Sequence, residues 1–149
     1  MTEETTLVIL KPDCVRKHAC GEVIRRIEHL GLRVANARFG VLPEDLIVAH
    51  YGHLQGEPFF DNLVAFMSSG PSMVIAFVGP QAIDSVRRAL GATDCLKAET
   101  GTIRGDLGEK FDLTRSSMFN IAHASDSFVT AQLELQRFFS SASTWRVDP

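Results

Sequence analysis

The chain has no long apolar run, no excess of positive charge and too few cysteines for a disulfide framework. Each shortage excludes something. No stretch approaches the roughly 20 apolar residues that span a bilayer. The opening Met1–Thr5 is polar and acidic, unlike the basic and apolar segments of a secretory leader, so a soluble, cytoplasmic protein is expected. Cys14, Cys20 and Cys95 are odd in number and form no C-x-x-C pair, which points to reduced thiols. Fifteen basic against 18 acidic side chains give a formal charge of -3, which argues against general nucleic-acid binding. There is no repeat, low-complexity tract or Pro/Gly/Ser linker, so residues 1–149 read as one domain. What is present suits a globular domain. A chain this long buries on the order of two-thirds of its unfolded surface, enough to fold without a structural metal. Eleven of the 15 cations are arginines, the residue type that grips phosphate oxygens in pairs.

Periodicity and chain breakers divide the chain. Thr5–Lys11 is a β-branched run closed by Pro12, and Arg33–Val41 reads as a second strand ending at Pro43. Ser72–Val78 is nearly all apolar and reads as a central strand, while Met118–Ala122 reads as a short fourth one. Helices are expected over Glu22–Leu30, Glu44–Tyr51, Pro58–Ser69, from Gly79-Pro80 to Leu90, and over Ser125–Phe139. Residues 91–116 look mostly irregular, and a loop that long is usually functional or hides an element. The order β-α-β-α-α-β-α-loop-β-α suits an α+β sandwich with helices covering one face of four strands. The ferredoxin-like split β-α-β arrangement has this rhythm.

The chemistry concentrates in four places. Asn120-Ile-Ala-His123-Ala-Ser-Asp-Ser127 puts an imidazole at a strand end, before side-chain oxygens suited to cap a helix. A helix start attracts phosphate, and a neutral imidazole nitrogen can act as a nucleophile. A lone histidine is more often structural; here its polar surroundings reverse the odds. Gly101-Thr-Ile-Arg104-Gly-Asp106 offers a guanidinium fork among glycines, a weak signal alone. Arg87-Arg88 near a helix end, with Thr93 beyond, is as readily explained by the helix dipole. Lys11-Pro-Asp13 closes the first strand, where a lysine is more often simply solvated. Two other chemistries find little support. His50-x-x-His53 has zinc-like spacing but no nearby acidic or cysteine partner in sequence. Arg38-Phe39-Gly40-Val41 falls short of an RNA-binding strand.

Taken in order, these segments resemble the nucleoside diphosphate kinase family from about Thr6 to Phe139. The match is carried by I-L-K-P-D at residues 9–13, His50-Tyr51 with Pro58-Phe59-Phe60, Ser69-Gly70-Pro71, Gly101–Asp106 and Asn120-x-x-His123-x-Ser-Asp-Ser127. The resemblance implies a four-stranded antiparallel, ferredoxin-like sandwich and a phosphotransferase working through a phosphohistidine on His123. It implies that Arg87, Thr93 and Arg104 hold the phosphates, with Mg²⁺ bridging the nucleotide's own oxygens and no metal held by protein ligands. Lys11 and Asn120 would reach sugar and phosphate, Tyr51 would sit beside the histidine, and Phe59 would stack on the base. Ser125 and Glu134 would steady the imidazole. Nucleoside di- and triphosphates are the implied partners, with no dedicated base-reading group. A homo-oligomer is implied, a hexamer before a tetramer or dimer.

The chain departs from the family pattern at four points. Cys14 and Ala124 stand where the family usually has glycine, and Ala124 would be strained by roughly 1 kcal/mol if its φ were positive. Residues 93–100 lack the usual prolines, so a looser loop and an altered or weaker oligomer are expected. About six extra residues fall between Leu107 and Met118 compared with typical members, expected to bulge beside the pocket or alter a subunit contact. The tail after Phe139 is shorter than in many eukaryotic members, although Trp145 resembles their C-terminal end.

Overall fold

Two strands carry unbroken apolar runs, L-V-I-L and V-I-A-F, and such runs belong where a sheet is covered on both faces. A computed structural model describes residues 3–110, 117–140 and 144–147. Its elements are β1 (Glu3–Leu10), α1 (Pro12–Arg16), α2 (Cys20–Glu28), β2 (Arg33–Val41), α3 (Glu44–His50), a 3₁₀ turn (Gly52–Leu54) and α4 (Phe60–Met67). They continue with β3 (Pro71–Pro80), α5 (Ala82–Leu90), α6 (Ile103–Leu107), β4 (Ala122–Ala124) and α7 (Phe128–Phe139). The sheet order is β2-β3-β1-β4, and every pairing is antiparallel. This is the expected ferredoxin-like α+β sandwich, with Ser72–Val78 inside a central strand.

Helices cover both faces of the sheet, not one. Val8 and Leu10 of β1 pack with α2 and α5 through Val23, Ile27, Val86 and Leu90. Leu7 and Ile9 point the other way, against Ile47 of α3, Leu63 and Met67 of α4 and Phe138 of α7. The two-residue period of the strand allows this division, and the lack of alternation in L-V-I-L requires it. Neither face of β1 is open for RNA.

Other differences are local. Pro12 ends β1 but also starts α1, since its fixed φ suits a first helical position. α6 lies inside the stretch expected to be irregular, and its cap explains it: the Thr102 Oγ1 accepts from the Gly105 N–H at 3.1 Å. A Cβ on Gly105 would run into the Glu99 carbonyl oxygen, so this turn closes only with glycine. Residues 118–121 are not strand, and α7 starts at Phe128, capped by Ser127, not at Ser125. Residues 111–116, the middle of the extra segment between Leu107 and Met118, lie outside the described residues, so the expected bulge or altered contact stays an expectation. Among the described residues no helix is long and apolar enough to cross a membrane.

Candidate active site

β4 has three residues, and its register decides where the imidazole goes. His123 pairs with Ile9, and directly opposed residues share a face, so the ring turns toward α3 and α7. There the His123 Nε2 lies 2.8 Å from the Glu134 Oε2 of α7. The Ser125 Oγ donates to Glu134 Oε1 at 2.7 Å, and the Leu7 N–H donates to that same Oγ at 3.1 Å. A carboxylate accepts, so Nε2 carries the proton and Nδ1 keeps its lone pair. Ser125 thus braces Glu134 from inside the fold instead of capping the helix.

The entry to β4 is strained. Ile121 has φ 76, and the Ala122 N–H donates across it to the Asn120 carbonyl at 2.9 Å. This is a γ-turn of the rare positive-φ kind, centred on a β-branched residue, and costs on the order of 1–3 kcal/mol. β1 and α1 hold it from below. The Ile121 N–H donates to Asp13 Oδ2 at 3.0 Å, and its carbonyl accepts from the Lys11 N–H at 2.9 Å. The strain that the family's glycine suggested for position 124 is absent there: Ala124 is an ordinary strand residue paired with Val8, with no positive φ.

Cations gather around the same turn. Lys11 is 5% exposed, and its Nζ donates to the Met118 carbonyl at 2.6 Å and to Asn120 Oδ1 at 2.8 Å. Burial is the main reason its pKa falls to about 8; Asp13 pulls it up and Arg104 pushes it further down. Arg104, also 5% exposed, donates to three carbonyls: Nε to Asn120 at 3.1 Å, Nη1 to Gly91 at 3.1 Å and Nη2 to Ala122 at 2.6 Å. Burial lowers it as well, to about 10. A guanidinium has five N–H groups, so two remain. Arg87 donates to the Ala124 carbonyl at 3.1 Å, whereas its neighbour Arg88 turns to solvent and pairs with Asp84. The Asn120 amide closes the ring by donating to the Thr93 carbonyl at 2.9 Å.

These groups line one cleft of about 540 Å³. Lys11, Tyr51, Arg87, Thr93, Arg104, Asn120 and His123 lie in it, and Leu54, Pro58, Phe59 and Leu63 form an apolar wall. Of the two adjacent phenylalanines, Phe60 is buried at 8% exposure and Phe59 is open at 38%. Burial raises the Tyr51 phenol above its ordinary pKa, so it stays protonated. Every residue expected at the site is therefore in the cleft or, for Ser125 and Glu134, directly behind its imidazole.

Three supporting residues were not expected. Asp13 pins the turn, and Ile121 carries its strain. His50 packs edge-on against His123 with ring centroids 4.5 Å apart, and its Nδ1 accepts from Arg137 at 3.1 Å. An arginine can only donate, so His50 is neutral with its proton on Nε2. Desolvation first, then the nearness of the His123 ring and of the Arg137 guanidinium, drive its pKa down to about 2. His50, His123 and Glu134 are close enough to suggest a metal cage. The chemistry opposes one, because a guanidinium already occupies the His50 lone pair. The earlier pairing of His50 with His53 gains nothing: the acidic partner, Glu134, joins His50 and His123 instead.

The model of the family described as nucleoside diphosphate kinase matches residues 4–144. The chain belongs to that family. It is 42% identical over 136 residues to the nucleoside diphosphate kinase of Thermomicrobium roseum, covering 91% of this chain and 87% of that one. It is also 42% identical over 137 residues to the Mycobacterium leprae enzyme, covering 91% and 96%. Among solved structures, a halophilic nucleoside diphosphate kinase from Halobacterium salinarum, in complex with CDP, superposes with a TM-score of 0.87 at 35% identity. That alignment covers 94% of this chain and 90% of the other. The enzyme class follows: this is a nucleoside diphosphate kinase by family, and its nucleophile-like imidazole sits among the cations the family pattern led one to expect.

Proposed function

We propose that the chain, a single domain, transfers the γ-phosphoryl group of a nucleoside triphosphate to a nucleoside diphosphate by way of His123, in the cytoplasm. The observation that carries this reading is the Glu134 contact, which commits the His123 proton to Nε2 and leaves Nδ1 to attack. In the first half-reaction Nδ1 forms a bond to the γ-phosphorus while the P–O bond to the departing diphosphate breaks. Positive charge grows on the imidazole, and Glu134 stabilises it. In the second half-reaction a terminal oxygen of another diphosphate attacks, and the N–P bond breaks. The protein has little further covalent work, so positioning and cationic stabilisation dominate. Lys11, Arg87, Arg104, Thr93 and Asn120 would hold the phosphates. Among the described residues no carboxylate lines the cleft, so Mg²⁺ would be held by the nucleotide's phosphate oxygens and would neutralise part of their charge.

Phe59 offers a ring face on which any base stacks, and Leu54, Pro58 and Leu63 beside it present no hydrogen-bonding side chain. Broad base specificity follows, with CDP, held by the halophilic relative, among the expected ligands. Initial rates should give parallel double-reciprocal lines when both nucleotides are varied, and kcat/KM should agree within about tenfold among ADP, GDP, CDP and UDP, little more than one methylene's worth of discrimination. Intersecting lines would mean direct transfer and no phosphoenzyme. By resemblance the chain assembles as a homo-oligomer, a hexamer first, which light scattering decides.

Two further results are expected. Glu134→Ala should lower kcat about 10²-fold or more, in the manner of removing the carboxylate behind a catalytic histidine, with a smaller change in KM. A raised KM with kcat unchanged would mark Glu134 as a substrate contact instead. The Lys11 ammonium in the free enzyme is lost as pH rises through about 8. Bound phosphate favours the charged form, so kcat/KM should fall above that pH while kcat falls less. Lys11→Gln should flatten this alkaline limb; an unchanged limb would assign it to another group.

A further inference from the structure

Cys14, where the family usually has glycine, has a thiol neighbour. Its Sγ lies 4.0 Å from that of Cys20. Three residues turn the chain between α1 and α2: His18 takes φ 56, and the Ala19 N–H donates to the Cys14 carbonyl at 3.1 Å. The two sulfurs are unlike. Cys20 is half-buried and is the first residue of the nine-residue α2, where unpaired backbone N–H groups favour a thiolate. The Cys14 S–H is fully buried and points at it. That hydrogen bond lowers the Cys20 thiol, while the same bond and burial raise Cys14. Cys95 is buried, and no thiol lies beside it among the described residues.

We propose that Cys14 and Cys20 form a peroxide-sensitive dithiol that closes reversibly to a disulfide and slows phosphotransfer. The Cys20 thiolate attacks one oxygen of hydrogen peroxide, the O–O bond breaks, and hydroxide leaves with the thiol's former proton as water. Cys20 is then a sulfenic acid. The Cys14 sulfur attacks the Cys20 sulfur, the S–O bond breaks, and the Cys14 proton departs with that oxygen as a second water. Two thiols lose two electrons and two protons in all, and one peroxide is reduced to two waters. A dithiol reductant reverses the change by exchange.

A disulfide brings the sulfurs from 4.0 Å to about 2.05 Å, and the part of that closure not taken up by side-chain rotation moves α1 against α2. α1 carries Asp13, which pins Ile121, and follows Lys11, which holds Asn120. The effect on rate rests on the phosphotransfer reading above; the disulfide does not.

The test treats the full chain with hydrogen peroxide, alkylates it, and digests it with trypsin. Cleavage after Arg16 and Lys17 separates the two cysteines, so residues 1–16 and 18–25 stay joined only through a disulfide. The joined pair should appear with peroxide and vanish with dithiothreitol, and the rate should fall several-fold and recover in parallel. Cys20→Ser should give no joined pair and keep its rate in peroxide. Separate peptides, or Cys20 as a sulfinic acid beside an alkylatable Cys14, overturn the disulfide. A joined pair with unchanged rate overturns the link to the catalytic turn. The peptides report on the thiols even if the chain transfers no phosphate, so the two readings fail separately.

Discussion

His123→Ala is expected to lose on the order of 10⁴-fold or more in kcat, because it removes the nucleophile and leaves only positioning. Among the described residues lining the cleft, the ring is the one group whose nitrogen keeps a lone pair placed to attack. Lys11 also brings a nitrogen, but its donors are turned to the Met118 carbonyl and Asn120 Oδ1. The fold should survive, since the His123 side chain is 25% exposed and β4 is held by its backbone to β1. Circular dichroism should therefore match the wild type while a coupled assay reads almost nothing. A variant retaining a tenth of the activity would place the nucleophile elsewhere.

Arg104→Ala is expected to be damaging twice over. Its guanidinium ties the carbonyls of Asn120 and Ala122, on either side of the Ile121 turn, to that of Gly91 at the end of α5. Removing it takes the guanidinium donor from Gly91 and Ala122, while Asn120 still accepts from the Ala122 N–H, and each acceptor left unpaired in the interior costs about 1–3 kcal/mol. It also removes a fixed cation from where charge develops, worth about 10²–10³-fold in rate. Urea denaturation should show a midpoint well below that of wild type, and the folded fraction should still be slow. Arg104→Lys should not rescue either defect, because an ammonium cannot reach three acceptors with a planar fork. If Arg104→Lys is as stable as wild type, the carbonyl contacts are not what holds the loop.

The pieces of the site legible in the sequence were those whose chemistry is local. Lys11, Arg104, Asn120 and His123 sit in short segments with turn residues around them, and Phe59 follows a proline. What escaped depends on contacts across the fold. The left-handed Ile121 contradicts the preference of a β-branched residue and is held by Asp13, 108 positions away, which accepts its N–H, and by the Lys11 N–H, which donates to its carbonyl. That same reversal of φ explains why β4 starts at Ala122 instead of Met118. The tautomer of His50 is set by Arg137, 87 positions away, which no spacing reveals. Coverage of both sheet faces was readable in the unalternating L-V-I-L and V-I-A-F runs, although the order of elements suggested one face. Arg87 and Arg88 are equivalent by residue type; the family resemblance singled out Arg87, and the phase of α5 is the physical reason the two differ.

Incubation with γ-labelled ATP and Mg²⁺ probes the central claim most directly. One acid-labile, base-stable phosphoryl group should appear per chain, at Nδ1 of His123, and added GDP or CDP should discharge it completely. Labelled product formed with no labelled protein, or label that persists in His123→Ala, would contradict the account.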